Sequence, residues 1–422
     1  MHLAKLVLLL LALLLQINHI AKRAFHVLER RRLLFIVFGV LLIVFVRKND
    51  SFLAPQFWAE DSNIFFKDSL EHGLKSLAIP YSGYLNTLQR IVAYITLYMP
   101  LEWMPFLYNY FAVLVLIYSI YLIVTCCSDK ISSYFFGFSI VLVPHSNEIL
   151  ANLTNLHWYT GIFLSFIMLK ADTKKSASYI ISLFIFICSI SGPFCLILLP
   201  FYLFQRIIYK KVQKRFYEIA FTLGCTIQLI TIYHNYEIVN LKSSLFLFQE
   251  LCKTLVSRIF IFSGVDQYYL NEFYIVYLVV ISILFLICAY LNKFNNENLS
   301  ICLYLISISV ISFIKVNSIS ETNNLYTYPS ADRYFYSYNY SVIFMILSSV
   351  RNCQKKLLLA TMLILATSIA TNKFFTHEHY KFSDYKWKQQ VECLKNNKVC
   401  TLEFYPKGWT VDINATKYFQ AE

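Results

Sequence analysis

Apolar residues run along this chain in blocks about as long as a bilayer-crossing helix, and polar residues collect between them. A spanning helix takes about 20 mostly apolar residues, with a range of about 17–25. On that measure the chain predicts eleven spans, near residues 33–47, 103–126, 131–145, 156–170, 177–191, 194–209, 216–234, 272–290, 299–316, 338–350 and 357–371. Several are short and draw on their flanks. A further apolar stretch, Leu6 to Leu15, reads as a twelfth span, an interfacial helix or a start-site artefact. It resembles a signal core, but no small-residue cleavage site follows and Lys22 and Arg23 come next. The expected fold is an all-α polytopic membrane protein. Residues 1–32 form a hydrophobic and basic N-terminal segment, 33–371 a transmembrane domain with a first external loop over 48–102, and 372–422 a small external tail.

Composition sharpens this picture. Of the 422 residues, 58% are hydrophobic and 14% charged, against about 25% charged in an average soluble protein. A soluble globular enzyme and a disordered chain are both excluded. The net charge of +13 does not imply a nucleic-acid partner, because basic residues also fix membrane orientation. If the loop holding Lys22, Arg23 and Arg30 to Arg32 is cytoplasmic, alternate short loops hold Lys130; Lys170, Lys174 and Lys175; Arg206, Lys210, Lys211, Lys214 and Arg215; Lys293; and Arg351, Lys355 and Lys356. The opposite short loops, 145–155 and 191–193, hold neither Lys nor Arg. That is a positive-inside pattern. Only five of the 24 acidic residues fall inside, so the external face carries most of the carboxylates.

The long external segments are 48–102, 235–271, 317–337 and 372–422, and all five tryptophans, Trp58, Trp103, Trp158, Trp387 and Trp409, lie on or near that face. An aromatic belt would populate both interfaces; stacking on sugar faces is the alternative reading. Most of the eleven cysteines lie in spans as small hydrophobes. Cys393 and Cys400 lie in the polar tail, where an oxidising side admits either a disulfide or two free thiols. No C-x-x-C pair occurs, and His377-Glu378-His379 lacks helical ligand spacing, so no metal site is expected.

Several external clusters carry chemistry. Glu60 and Asp61 follow Trp58, just above the bilayer, and Ser62 to Leu77 has the spacing of an amphipathic interfacial helix. One of the carboxylates is suited to take a proton from a hydroxyl; the alternative for Asp61 is N-capping of that helix. Glu148, Asn152, Asn155, His157 and Trp158 crowd a short external loop with hydrogen-bonding groups suited to a polyhydroxy ligand, or with caps and hydration. Arg333 and Tyr334 open the 338–350 span, where an arginine suits a phosphate or pairs with Asp332. Arg90 follows the first loop's turn, and Trp409 stands at a turn in the tail.

Six stretches carry a resemblance. They are Phe57-Trp58-Ala59-Glu60-Asp61, Tyr81-Ser82-Gly83-Tyr84-Leu85, Asn152-Leu153-Thr154-Asn155-Leu156-His157-Trp158, Ser191-Gly192-Pro193-Phe194, Arg333-Tyr334-Phe335 and Pro406-Lys407-Gly408-Trp409. In order and in external placement they resemble the polytopic GT-C type bacterial glycosyltransferases, in particular the phage-type serotype-converting O-antigen glucosyltransferases. Ser62 stands where the family usually has Gly, His157 where Gln is common, and Lys407 where a second Pro is usual.

The resemblance implies a GT-C-like bundle of about 11–12 transmembrane helices in the bacterial inner membrane, with its active site facing the periplasm. It implies transfer of one sugar, glucose in the serotype-converting enzymes, from a polyprenyl-phosphate donor to the O-antigen of lipopolysaccharide. Glu60 or Asp61 would be the base, with the lean toward Asp61. Arg333, Arg90 and Tyr334 would hold the donor phosphate, and Trp58, Glu148, Asn152, Asn155, His157, Trp158 and Trp409 the sugars. The lipid-linked sugar is a substrate, and no cofactor is expected. An O-antigen polymerase and a lipid-linked-sugar flippase are the competing readings; the latter predicts charges and broken helices near mid-membrane.

Overall fold

The computed structural model describes residues 31–127, 130–146, 148–171, 178–235, 244–258, 267–293, 295–319, 332–352, 387–396 and 399–414. The Leu6 to Leu15 stretch, the span expected at 357–371 and His377-Glu378-His379 lie outside the described residues.

The described chain is mostly helical. Its longer helices are α1 (Arg32–Lys48), α2 (Thr87–Thr96), α3 (Met104–Cys126), α4 (Lys130–Leu142), α5 (Leu156–Lys170), α6 (Tyr179–Ser189) and α7 (Phe194–Ile208). They continue with α8 (Arg215–His234), α9 (Ser244–Arg258), α10 (Gln267–Leu291), α11 (Asn296–Ile319), α12 (Tyr336–Asn352) and α13 (Trp387–Asn396). Among the described residues four stretches, Leu101–Cys126, Arg215–His234, Glu272–Leu291 and Asn296–Lys315, are long and apolar enough to cross a membrane, against the eleven spans expected over the whole chain. Ser132–Leu142, Tyr179–Ser189 and Phe194–Ile208 are apolar but shorter.

What the helices expose is as telling as what they bury. On α1, Ile36, Val40 and Val44 form a buried stripe while Leu34, Phe38 and Leu42 face outward. On α10, Val276, Val279, Ile283 and Leu286 are exposed. Water would penalise so much apolar surface, whereas a bilayer accepts it, and a helix meets its own backbone hydrogen bonds there. Between helices, small residues allow close approach. A Cβ on Gly224 of α8 would stand 2.4 Å from the Ser189 Cβ of α6, so this crossing requires glycine. The centre of the bundle is α3 against α1, α4 and α5, with α12 closing on α4 and α11.

The connections sort to two ends. At one end, Leu88 N–H donates to Ser191 Oγ at 2.8 Å, Gln228 joins Leu85 to Gly192, and Ser146 N–H donates to Asp332. At the other, Lys211 pairs with Glu297 at 2.6 Å, Arg206 pairs with Glu218, and Gln205 donates to Asn296 and Ser300.

Two local differences from the sequence reading stand out. The segment Ser62 to Leu77 is helical but not one helix. It runs as a π-turn (Asp61–Phe66), a short α-helix (Lys67–His72) and a 3-10 turn (Gly73–Ala78). Gly73, at φ +53°, ends the α-helical part. The tail adds a strand pair to an otherwise helical fold: β1 (Val399–Phe404) and β2 (Trp409–Asn414) pair antiparallel, with Phe404 opposite Trp409. Alternation drives it, since Cys400, Leu402 and Phe404 are buried and the residues between them exposed. A disulfide joins Cys393 to Cys400, and Trp387 on α13 packs its ring against Phe57 and donates to Leu101 O at 2.9 Å.

Candidate active site

The end that holds residues 57–90 also holds 145–158, 191–194, 332–335 and the tail. α1 organises it from below. Arg47 donates to Val141 O, Val143 O and His145 O, and Lys48 to Leu150 O at 2.9 Å. Two basic side chains thus satisfy carbonyls in the last turn of α4 and in the loop that follows.

Within that loop Asn152 Nδ2 donates to Glu148 O at 2.7 Å, Asn155 Nδ2 donates to the same carbonyl at 3.0 Å, and Asn155 N–H donates to Asn152 Oδ1 at 3.0 Å. Both asparagines are fully buried, and these amide groups fold the loop. The loop also receives the first segment. The Asp61 carboxylate accepts from Thr154 N–H at 2.8 Å, Thr154 Oγ1–H at 2.7 Å and Leu153 N–H at 3.3 Å. Asp61 therefore reaches across to another segment and makes no cap for its own turn. Burial pushes its carboxyl up to about 7, against the lowering effect of the Thr154 and Leu153 donors.

Glu60 stands differently. It is half-buried, one carboxylate oxygen accepts from Tyr81 O–H at 3.2 Å, and the other has no hydrogen-bond partner among the described residues. Burial, and then the Glu60 charge, push the Tyr81 phenol above its usual range, so it stays a donor. Arg333 lies within electrostatic reach of Glu60. Its guanidinium pairs with Glu148 and donates to Tyr334 Oη at 3.4 Å.

The ring of Trp158 is buried between Phe194, His157 and Tyr334, at centroid distances of 4.9, 5.4 and 5.8 Å. The Ser191–Phe194 turn is the wall behind them: a Cβ on Gly192, at φ +142°, would stand 2.9 Å from His157 Cβ.

The structure thus brings together Glu60, Glu148, His157, Trp158, Arg333 and Tyr334, with Asp61, Asn152 and Asn155 holding the loops that carry them. It does not bring Arg90 to Arg333 in any hydrogen bond or ion pair. Arg90 is fully buried, bonded to Asp68 at 2.8 Å and set over the Phe65 ring. Trp58 is also buried, stacked on Tyr405 at 5.3 Å with Lys48 over its ring. Trp409 is 41% exposed on the hairpin. Asp332 does not pair with its neighbour Arg333; it accepts from Ser146 N–H at 2.6 Å and faces Arg258 of α9 at 3.6 Å.

Three non-glycine residues here, Ala59, Ser82 and Ala151, have φ of +41°, +55° and +50°. Such conformations cost on the order of 1–3 kcal/mol each and cluster at functional sites. They flank Glu60, Tyr81 and Asn152.

Sequence reasoning placed Tyr81 in one of the six stretches without giving it a role, and passed over Lys315. Lys315 Nζ donates to Ser82 O at 3.0 Å and lies over the Tyr84 ring. A lysine inside an apolar span was the available signal. No group of three His, Cys, Asp or Glu is placed to hold a metal ion among the described residues. No protein-family model matches the chain, and neither a curated protein nor a solved structure is similar to it.

Proposed function

We propose that the protein is a GT-C-like membrane glycosyltransferase that moves one sugar, glucose by resemblance, from a polyprenyl-phosphate donor to O-antigen on the periplasmic face of the inner membrane. The observation that carries this reading is a half-buried carboxylate with an unused oxygen, Glu60, at one end of an apolar bundle and within electrostatic reach of the Arg333 guanidinium, which is itself ion-paired with Glu148. The acceptor hydroxyl attacks the anomeric carbon and passes its proton to Glu60. The bond from that carbon to the donor phosphate oxygen breaks, and the electron pair leaves with the lipid phosphate held by Arg333. Charge-assisted bidentate bonds suit that anion. One displacement inverts the anomeric centre. Asp61 positions Glu60 by tying its segment to Leu153 and Thr154, and Trp409 offers an exposed ring to the acceptor.

The test is to incubate membranes containing the protein with polyprenyl-phosphate glucose labelled in the sugar and with O-antigen. The expected result is one labelled glucosyl unit per modified repeat. Growth by whole repeat units would replace the reading with a polymerase. Label crossing the bilayer with no new glycosidic bond would replace it with a flippase.

A further inference from the structure

The stretch from 67 to 84 is held to the protein by little. Phe65 and Phe66, just before it, sit in the core, and Leu85 and Asn86, just after it, are buried again. Between them the only buried residues are Ser69 and Ser76. The leucines do not anchor it, because Leu74 is 63% exposed and Leu70 and Leu77 are half-buried. Ser62, Ser69 and Ser76 recur every seven residues. All three are buried, and none of their hydroxyls has a hydrogen-bond partner among the described residues.

What the stretch covers is polar as well. Its short α-helix and 3-10 turn pack on α2. There Arg90 is fully buried and bonded to Asp68 at 2.8 Å, while its Nε and Nη2 have no partner among the described residues. In this closed arrangement two serine hydroxyls and two guanidinium nitrogens are buried without a protein acceptor. Lifting the stretch returns them to water, and it parts Asp68 from Arg90 without leaving either charge stranded inside. Segments with few buried apolar contacts open at low cost, and lids are drawn from them.

The two ends of the stretch are pinned where its body is not. Tyr81 O–H donates to Glu60 at 3.2 Å, so the start and the end of the excursion meet. Lys315 holds Ser82 O at 3.0 Å, and Asp61 ties the start to Leu153 and Thr154. We infer that residues 67–80 form a lid that lifts off α2 and closes again, with its stems fixed at the Glu60–Tyr81 bond and the Asp68–Arg90 pair as its latch. The lid is argued from packing alone and does not depend on the transferase reading.

The test places single cysteines in the full chain and measures their rates of reaction with a hydrophilic maleimide, in membranes permeabilised on both faces and with the wild type as background. Leu74→Cys, on the outer surface of the lid, should react fast. Ser69→Cys and Ser76→Cys should react roughly 10–1,000-fold more slowly, as groups reached only through a minor open state. Ser62→Cys, equally buried but in the anchored π-turn, should stay unlabelled until the protein is denatured. With Ser76→Cys as the reporter, Asp68→Asn should speed labelling about tenfold by releasing the latch. Ser69→Ala should slow it roughly fivefold by removing a hydroxyl that the closed state leaves unbonded. The inference is overturned if Ser69→Cys and Ser76→Cys are as silent as Ser62→Cys while Leu74→Cys reacts. It is overturned equally if all three buried positions react at one rate, which would be global unfolding, or if neither Asp68→Asn nor Ser69→Ala changes the rate at Ser76→Cys.

Discussion

Arg333 and Glu148 lie 185 positions apart in the chain and share one ion pair, with the carboxylate almost fully buried. The pair joins the turn before α12 to the loop before α5. It also holds the guanidinium within electrostatic reach of Glu60, where the donor phosphate is proposed to sit. Arg333→Lys keeps the charge and loses the planar fork. The expected result is a loss of transfer on the order of 100-fold with normal membrane insertion. Wild-type turnover in Arg333→Ala would remove this residue from the mechanism.

Glu60 and Asp61 are adjacent and differ in what they touch. Glu60→Gln should lower turnover by about 10²–10⁴-fold, the usual loss for a general base. Asp61→Asn turns an amide toward two backbone donors and loosens the loop contact. It should lower turnover less. The roles are reversed if Asp61→Asn costs more turnover than Glu60→Gln while both proteins insert normally.

Asp61 also makes a stability prediction. Its folded pKa, about 7, lies above the ordinary carboxyl value of 3.8. Folding therefore favours the protonated form. The corresponding stability is fully present below pH 3.8 and is lost as pH rises through about 7. Thermal unfolding in detergent should show this falling component in the wild type and not in Asp61→Asn. Identical slopes in both would show that Asp61 titrates normally.

Much of this was legible in the sequence. The helices follow from apolar runs, because in a bilayer length and hydropathy alone select them. The gathering of the six stretches at one end of the bundle was expected from counting spans. Partners were not legible. Periodicity reports that Asp332 and Arg90 are buried or exposed; it does not report that Asp332 meets Ser146 and Arg258, or that Arg90 meets Asp68. Nor did a helical pattern over 62–77 reveal three different gauges, since π, α and 3-10 turns place apolar residues at similar spacings. The hairpin was hidden for a different reason. Two six-residue strands in a polar tail carry a weaker signal than any span.

The Arg90–Asp68 pair yields a test that separates folding from donor binding. Arg90 is fully buried and Asp68 is its partner at 2.8 Å. Removing one member of a buried pair strands the other, at a cost of about 3 kcal/mol. Asp68→Ala should therefore lower the unfolding temperature, while the donor KM of the folded fraction stays at the wild-type value. A donor KM raised tenfold with unchanged stability would return Arg90 to the phosphate site.

Topology gives the last prediction. The tail is fixed to the first segment by the Ala59 N–H bond to Tyr405 O, by Tyr405 N–H donating to Phe57 O at 3.1 Å, and by Trp387 donating to Leu101 O. Residues 57–101 and 387–409 must therefore share one side of the membrane. The positive-inside count puts that side outside. Leu74 is 63% exposed, and Lys407 is exposed on the hairpin turn, so cysteines at these positions suit an impermeant maleimide. With the outer membrane permeabilised and the inner membrane intact, Leu74→Cys and Lys407→Cys should both label above the wild-type background. Label at one position only would break the contact between tail and first segment. Label at neither, with both reached after lysis, would invert the orientation and place the Glu60–Arg333 cluster in the cytoplasm.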